Sequence, residues 1–335
     1  MIDLNYKLQK DLYCVFSPSG GEKKMRRFIK HYISDNVKGA IVEQDSAGNL
    51  YVTKGQSESY PCLCAHMDQV QHLHPKDFCC IESDDVIFGY SPKTRQQCGL
   101  GADDKNGIFI ALTCLQEYDV LKCAFFVGEE IGCVGSRAAN VSFFDDCRFC
   151  AQIDRRGNCD MVTDISDVMC SAEFIKDADC ETFGYRIHDG LMTDVDTLRK
   201  RGVKASCINI SCGYYEPHTD QEFTDKSDLY SCYVFVCHLI EDCTKVYTFE
   251  APAREGNMYS WANENWDWDD CYEWCNTALR NKPSLTLEEF KDDVSGMYKS
   301  LSDRDIEKIY DWCKHDSDSY SDYDSNSMFS DYYEA

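Results

Sequence analysis

The stretch CGLGADDKNG, residues 98–107, sets two adjacent acids, Asp103 and Asp104, ahead of the apolar run IFIALTCL at residues 108–115. That run predicts a helix over 104–118 with the acids at its loop-to-helix junction. A carboxylate placed there can face a cation together with the neighbouring backbone. Four further stretches carry the other groups that a metal pair needs. They are AHMDQ at 65–69 with His66 and Asp68, VGEEIG at 127–132 with Glu129 and Glu130, QIDRRG at 152–157 with Asp154, and EPHTD at 216–220 with His218. The first three follow strand-like apolar runs, YPCLCA at 60–65, LKCAFFV at 121–127 and RFCAQI at 148–153. Side chains delivered just past the carboxyl ends of parallel strands meet at one sheet edge, where α/β folds form their sites.

The 335 residues suffice for one α/β domain of about 250 residues plus an extension. A net charge of −25 speaks against nucleic acid or an acidic membrane as partner, because the long-range field repels both. It suits solubility or a cation-attracting face. Mean hydropathy is −0.47, no apolar run approaches ~20 residues, and the opening MIDLNYKLQKDL reads as an amphipathic helix rather than a signal peptide. These features predict a soluble, cytoplasmic protein. The 22 cysteines are scattered through apolar runs such as PCLCAH, VFVCHL and ASCINISC, where a reduced thiol acts as a small hydrophobe. Cys147 and Cys150 have CxxC spacing, but no second pair stands at zinc-site spacing, so they read as buried thiols. The adjacent Cys79 and Cys80 read the same way.

In chain order, residues 4–16 read as a helix broken by SPSGG. Ser19 with Glu22 forms a capping-box pattern, and Met25, Phe28, Ile29, Tyr32 and Ile33 follow at helical spacing. AIVEQD and NLYVTK flank SAG and predict a hairpin over 40–54. Strands are expected at 60–65, 85–90, 121–127 and 148–153, a helix near 171–182, a helix over TDVDTLRKRG, a strand over ASCINI and a last helix at 225–242. Beyond these, residues 256–280 are rich in tryptophan and acids, LTLEEFKDDVSGMYKSL and SDRDIEKIYDWCKH read as short helices, and an acidic tail from 316 is expected to be disordered.

Two histidines gathered with several carboxylates suit two divalent ions of borderline softness, zinc foremost, with cobalt or manganese as other candidates. In this order the motifs resemble the zinc-dependent exopeptidases with co-catalytic metals, among them leucyl-type aminopeptidases, deblocking aminopeptidases and tripeptidase T, over residues 10–245. The resemblance implies a three-layer α/β fold of the phosphorylase/hydrolase-like type, with a mixed, mostly parallel central sheet. A small helical C-terminal extension would follow. The change in composition after the matched residues divides the chain into a catalytic domain at 1–248, an extension at 249–315 and the tail at 316–335. The resemblance implies Asp103 as the bridging ligand, His66 and Asp154 completing one site, and Glu130 and His218 the other. Preferring Asp103 over Asp104 rests on the family register alone. Asp68 would orient His66, and Glu129 would be the general base. Asp154 and His218 stand 64 positions apart, too few for the lid or dimerisation domain of about a hundred residues that some relatives insert there. The expected type is therefore lidless.

Taken singly, each motif has an ordinary reading as an exposed loop, a helix-capping acid or a surface ion pair beside Arg155 and Arg156. His72 and His74 are candidates for extra ligands or, as the preferred reading, for a loop at the site's rim. Thr193 and Asp194 match a dipeptide that relatives place near the substrate, or a helix N-cap. Tyr214 and Tyr215 are candidates for the pocket wall, for an oxyanion donor or for packing. Trp261, Trp266, Trp268 and Trp274 suit a partner surface or a covered edge. The resemblance implies an aminopeptidase acting on peptides, with Asp at position 154 favouring that branch over carboxypeptidases and deacylases. A noncatalytic binding scaffold on the same fold is the alternative of another class. The sequence leaves the oligomeric state open.

Overall fold

The computed structural model describes residues 4–165 and 167–249, and beyond them residues 271, 275, 278, 279, 282, 284–294, 301–304, 306–310, 313 and 314. The tryptophan-rich stretch with Trp261, Trp266, Trp268 and Trp274 and the tail from 316 lie outside the described residues. The chain divides into two compact units, residues 1–252 and 253–335.

The first unit opens with helices α1 (Tyr6–Tyr13) and α2 (Lys23–Asn36) and the hairpin β1 (Ala40–Gln44) and β2 (Leu50–Lys54). Next come β3 (Tyr60–His66), β4 (Cys79–Ser83), β5 (Val86–Ser91), β6 (Gln96–Cys98), α3 (Ala102–Glu117), β7 (Leu121–Phe126) and α4 (Val134–Ala138). The chain continues through β8 (Cys147–Arg155), β9 (Asp160–Ile165), β10 (Asp167–Val168), α5 (Ala172–Ala178), β11 (Arg186–Asp189) and α6 (Asp194–Lys200). It closes with β12 (Ser206–Ser211), β13 (Tyr214–Tyr215), β14 (Phe223–Asp225) and α7 (Lys226–Asp242).

A nine-stranded sheet runs β1-β2-β7-β3-β8-β12-β9-β10, with β11 joined to β9. Its four central strands, β7, β3, β8 and β12, are parallel, and antiparallel partners flank them. Central strands buried on both faces need apolar residues at every position. β3 shows the result: Leu63 and Ala65 join one core with α1, α2, α3 and α7, while Cys62 and Cys64 join a second core with Val195 and Leu198 of α6. The domain is thus a three-layer α/β fold. The stretch between Asp154 and His218 folds into strands of this sheet and helices against it within one unit, with no separate domain.

Some local expectations differ. Ser19 and Glu22 do not form a capping box: Glu22 itself is the N-cap of α2 and makes no side-chain cap bond. Its Oε1 accepts from the Gly20 amide, and Ser19 Oγ donates instead to Asp68 Oδ2 at 2.8 Å. A buried carboxylate outcompetes the helix end for the hydroxyl. The helix expected over 171–182 ends at Ala178, because Asp179 takes a left-handed φ of 42° and a short 3-10 turn, Cys180–Phe183, follows. The strand expected at 85–90 belongs to a separate five-stranded antiparallel sheet built from β4, β5, β6, β13 and β14.

In the second unit, Phe290 and Val294 of the helix Leu287–Val294 pack with Cys271, Leu285, Ile309 and Tyr310. This helix has a true capping box: the Thr286 amide donates to Glu289 Oε2 at 2.9 Å and the Glu289 amide to Thr286 Oγ1 at 3.3 Å.

Where α3 crosses the end of β8, only a hydrogen fits at Gly107. A Cβ there would stand 2.4 Å from the Ile153 carbonyl oxygen and 2.5 Å from Asp104 Oδ1. Replacing Gly107 by Ala is expected to cost about 1–3 kcal/mol, the range for overpacking, read as a lowered urea midpoint at unchanged slope.

Candidate metal centre

Three parallel strands deliver acids and a histidine to one edge. His66 is the last residue of β3, Glu129 and Glu130 follow β7, and Asp154 lies one residue from the end of β8. Asp103 enters from the start of α3, where it and Asp104 leave helical geometry with ψ of 102° and 42°, and the peptide between them is cis. His218 arrives from the turn after β13 with a left-handed φ of 64°, which costs a non-glycine residue roughly 1–2 kcal/mol. The turn is tied by Thr219 Oγ1 donating to the Glu216 carbonyl at 2.9 Å.

The two oxygens of Asp103 point to different histidines. His66 Nε2 stands 3.0 Å from Oδ1, and His218 Nε2 stands 3.3 Å from Oδ2. His66 Nε2 is also 3.5 Å from Asp154 Oδ1, and His218 Nε2 is 3.0 Å from Glu130 Oε2. The five side chains therefore form two triads that share Asp103: His66, Asp103 and Asp154, and Asp103, Glu130 and His218. In each, the nitrogen and oxygen donors lie within 4.8 Å of one another. Glu130 Oε1 is buried without a hydrogen-bond partner. A lone orphaned oxygen among converging nitrogen and oxygen donors is what a divalent cation of borderline softness would satisfy.

Behind the five, Asp68 Oδ1 stands 3.4 Å from His66 Nδ1 and accepts from the Glu129 amide at 3.0 Å. Its Oδ2 accepts from the Glu130 amide at 3.3 Å. One carboxylate thus fixes the ring of His66 and the turn carrying both glutamates. Asp104 belongs to neither triad. It accepts from the backbone amides of His66 at 3.1 Å and Gly107 at 3.0 Å, tying α3 to β3.

Several residues escaped the sequence reading. Glu222 is fully buried and accepts from the amides of Gly101 at 2.5 Å and Asp103 at 3.0 Å. Lys105 Nζ donates to Gln69 Oε1 at 2.6 Å beneath the same loop. Gln152 Nε2 donates to Asp154 Oδ2 at 3.0 Å and reaches Asp194 Oδ2 at 3.4 Å. Their only signal was hydrogen-bonding capacity close to a motif, which ordinary loop residues share. Thr193 is the N-cap of α6 but makes no cap bond; its hydroxyl lies 3.5 Å from Asp154 Oδ2. Tyr214 OH also reaches Asp154, at 3.5 Å from Oδ1, whereas Tyr215 donates to Asp228 and stacks on Phe223. His74 is packed between Phe16 and Phe78, and burial pushes its ring down to about 4.

The electrostatics reflect crowded, mostly buried acids. Burial, reinforced by the Asp103 charge, raises Asp154 to about 8 although His66 opposes it. Burial likewise raises Glu129, Glu130 and Asp104, and lifts Asp194 to about 7. Asp103 and Asp68 go the other way: burial opposes their charge, but hydrogen bonds from His218 and His66 hold Asp103 far below the usual range, and His66 with Ser19 and the Glu129 amide lowers Asp68. Burial also disfavours the charged form of both histidines, and the surrounding carboxylates more than offset it. Asp103 is thus the most firmly ionised acid of the centre.

No protein-family model matches the chain, and no curated protein sequence matches it. Solved structures do. Aminopeptidase PepT from Bacillus cereus superposes with a TM-score of 0.60 at 16% identity, covering 72% of this chain and 98% of its own. A tripeptidase from Staphylococcus aureus gives 0.58 at 17%, covering 71% and 97%. An aminopeptidase from the archaeon Desulfurococcus kamchatkensis gives 0.53 at 15%, covering 76% and 98%. At these identities the likeness establishes the fold, a three-layer architecture shared with aminopeptidases and tripeptidases. Among the described residues, no helix is long and apolar enough to cross a membrane.

Removing Glu222 leaves two buried amides without an acceptor, each worth about 1–3 kcal/mol. Glu222→Ala is expected to lower stability by that order in a urea titration, and Glu222→Gln, which retains an acceptor oxygen, by less.

Proposed function

We propose that the chain is a metal-dependent aminopeptidase that hydrolyses the N-terminal peptide bond of peptides. The observation that carries this reading is the double engagement of Asp103, one oxygen toward His66 and the other toward His218. His66, Asp103 and Asp154 would hold one divalent ion and Asp103, Glu130 and His218 a second, with zinc the best fit to two histidines and three carboxylates. Bound there, the ions would supply Lewis acidity toward the peptide carbonyl and acidify an attacking water.

The chain's own residues would do the rest. Glu129 is held by the hydrogen bond its backbone amide donates to Asp68 and adjoins Glu130 in the chain. Its raised proton affinity, caused first by burial, suits a base that takes a proton from water and hands it to the leaving amine. Asp68 would hold His66 in one tautomer, its carbonyl oxygen accepting from Nδ1 at 3.2 Å and its carboxylate standing 3.4 Å from the same nitrogen. In this reading the substrate is engaged at its amino end. The named activities of the structurally similar enzymes and the aspartate at position 154 support the same choice.

We assign this activity to residues 1–248. The abundance of cysteine, with Cys62, Cys64, Cys123, Cys150 and Cys207 unbridged on the central strands, supports work in a reducing compartment such as the cytoplasm.

The test is release of N-terminal residues from free-amine and N-acetylated peptides, with and without chelator. Chelator-sensitive cleavage of free-amine peptides alone is expected. Cleavage of acetylated substrates only would move the reading to a deacylase or carboxypeptidase, and no turnover in the metal-replete chain would leave a binding scaffold. Glu129→Gln is expected to cut turnover by about 10²–10⁴-fold, the usual worth of general base catalysis, with metal content by mass spectrometry unchanged. Loss of metal along with activity would contradict the base assignment.

A further inference from the structure

A second group of candidate ligands lies in the opposite core from α3, on the central strands themselves. Cys62 of β3 stands in register with Lys122 of β7 on one side and Cys150 of β8 on the other, and Cys150 stands in register with Cys207 of β12. A row of thiols thus crosses three adjacent strands with a cation at its end. Cys147 joins it through an irregularity. Residues three apart on a regular strand point to opposite faces. Here the pairing steps from Tyr60 opposite Cys147 to Pro61 opposite Phe149, so Arg148 is an extra residue in β8. The bulge turns Cys147 onto the face of Cys150. Both lie in the same buried core as Cys62, while Phe149 lies in the other.

The sulfurs of Cys62, Cys147 and Cys150 all lie within 4.8 Å of one another. Three sulfurs bound at about 2.3 Å to one ion stand about 4 Å apart, so little rearrangement separates the cluster from a coordinated one. We propose that Cys62, Cys147 and Cys150 form a binding site for one soft, thiophilic divalent cation, separate from the histidine and carboxylate centre.

Charge supports the assignment. Three thiolates around a divalent ion leave one negative charge in a dry core, and the ammonium of Lys122 faces Cys62 from the neighbouring strand. Lys122 Nζ is itself anchored, donating to the Phe143 carbonyl at 2.8 Å and pairing with Asp146 at 2.5 Å. Burial disfavours ionisation of Cys62, while hydrogen bonds from Cys147, Cys150 and Cys64 and the charge of Lys122 favour it. Binding displaces the thiol protons to solvent and forms three metal–sulfur bonds with no change of oxidation state. Thiolate ligands select soft ions over magnesium, calcium or manganese.

The probe is cadmium(II) added to the reduced full-length chain. The readout is thiolate-to-cadmium charge-transfer absorption, which imidazole and carboxylate ligands do not give. One equivalent per chain is expected to develop the band, with three sulfur neighbours by cadmium X-ray absorption and a raised thermal midpoint. Cys62→Ala and Cys150→Ala should lose the band and the thermal shift, while Cys237→Ala, on α7 in the other core, should keep both. X-ray absorption on the unmutated chain identifies the ligand atoms even where a variant fails to fold. A first equivalent bound only by oxygen and nitrogen, or a band that survives in folded Cys62→Ala, would overturn the proposal.

Discussion

One buried carboxylate answers two histidines. Asp103 meets His66 and His218 with separate oxygens, and its ionisation is sustained by those contacts against the cost of burial. Charge inside a protein persists only where partners replace water. The architecture around it serves that end: β3 and its two parallel neighbours bring one ring and three acids to the edge, and the turn after β13 brings the second ring.

Holding Asp103 requires fixing its backbone as well. Glu222 takes its amide and that of Gly101, Asp104 ties the start of α3 to the amide of His66, and the bare α-carbon of Gly107 lets the helix pass the end of β8. Asn106 continues the anchorage inward, donating to the Cys212 carbonyl at 2.9 Å and accepting from Tyr13 OH at 2.5 Å. Every residue from 102 to 115 is consequently buried. A carboxylate positioned by so many backbone bonds is rigid before a ligand arrives, and preorganisation of that kind spares an enzyme reorganisation during the reaction.

Much of this was legible in the sequence because periodicity and position carried it. The apolar runs ending at Ala65, Val127 and Ile153 announced buried parallel strands, and the helix after Asp104 announced itself by length. What stayed hidden depended on contacts between distant residues. Ser19 and Glu22 have the same pattern as Thr286 and Glu289, yet only the second pair caps its helix, because Asp68 competes for Ser19. Glu222 became visible only once the turn after β13 folded back onto Gly101. The CxxC of Cys147 and Cys150 lacked a partner in sequence, since its third thiol is supplied by register with β3 and its shared face by a bulge. Local rules read local structure well and fail where a tertiary partner outbids a near neighbour.

The central claim is that Asp103 is shared between two cations. Native mass spectrometry of the zinc-equilibrated chain and of its Asp103→Ala and His218→Ala variants tests it most directly, with the folded state checked by circular dichroism and thiol-bound zinc counted separately from the Cys62→Ala variant. The account predicts two ions at the histidine and carboxylate centre, one in His218→Ala and neither held tightly in Asp103→Ala. Two ions retained in a folded Asp103→Ala chain would contradict it.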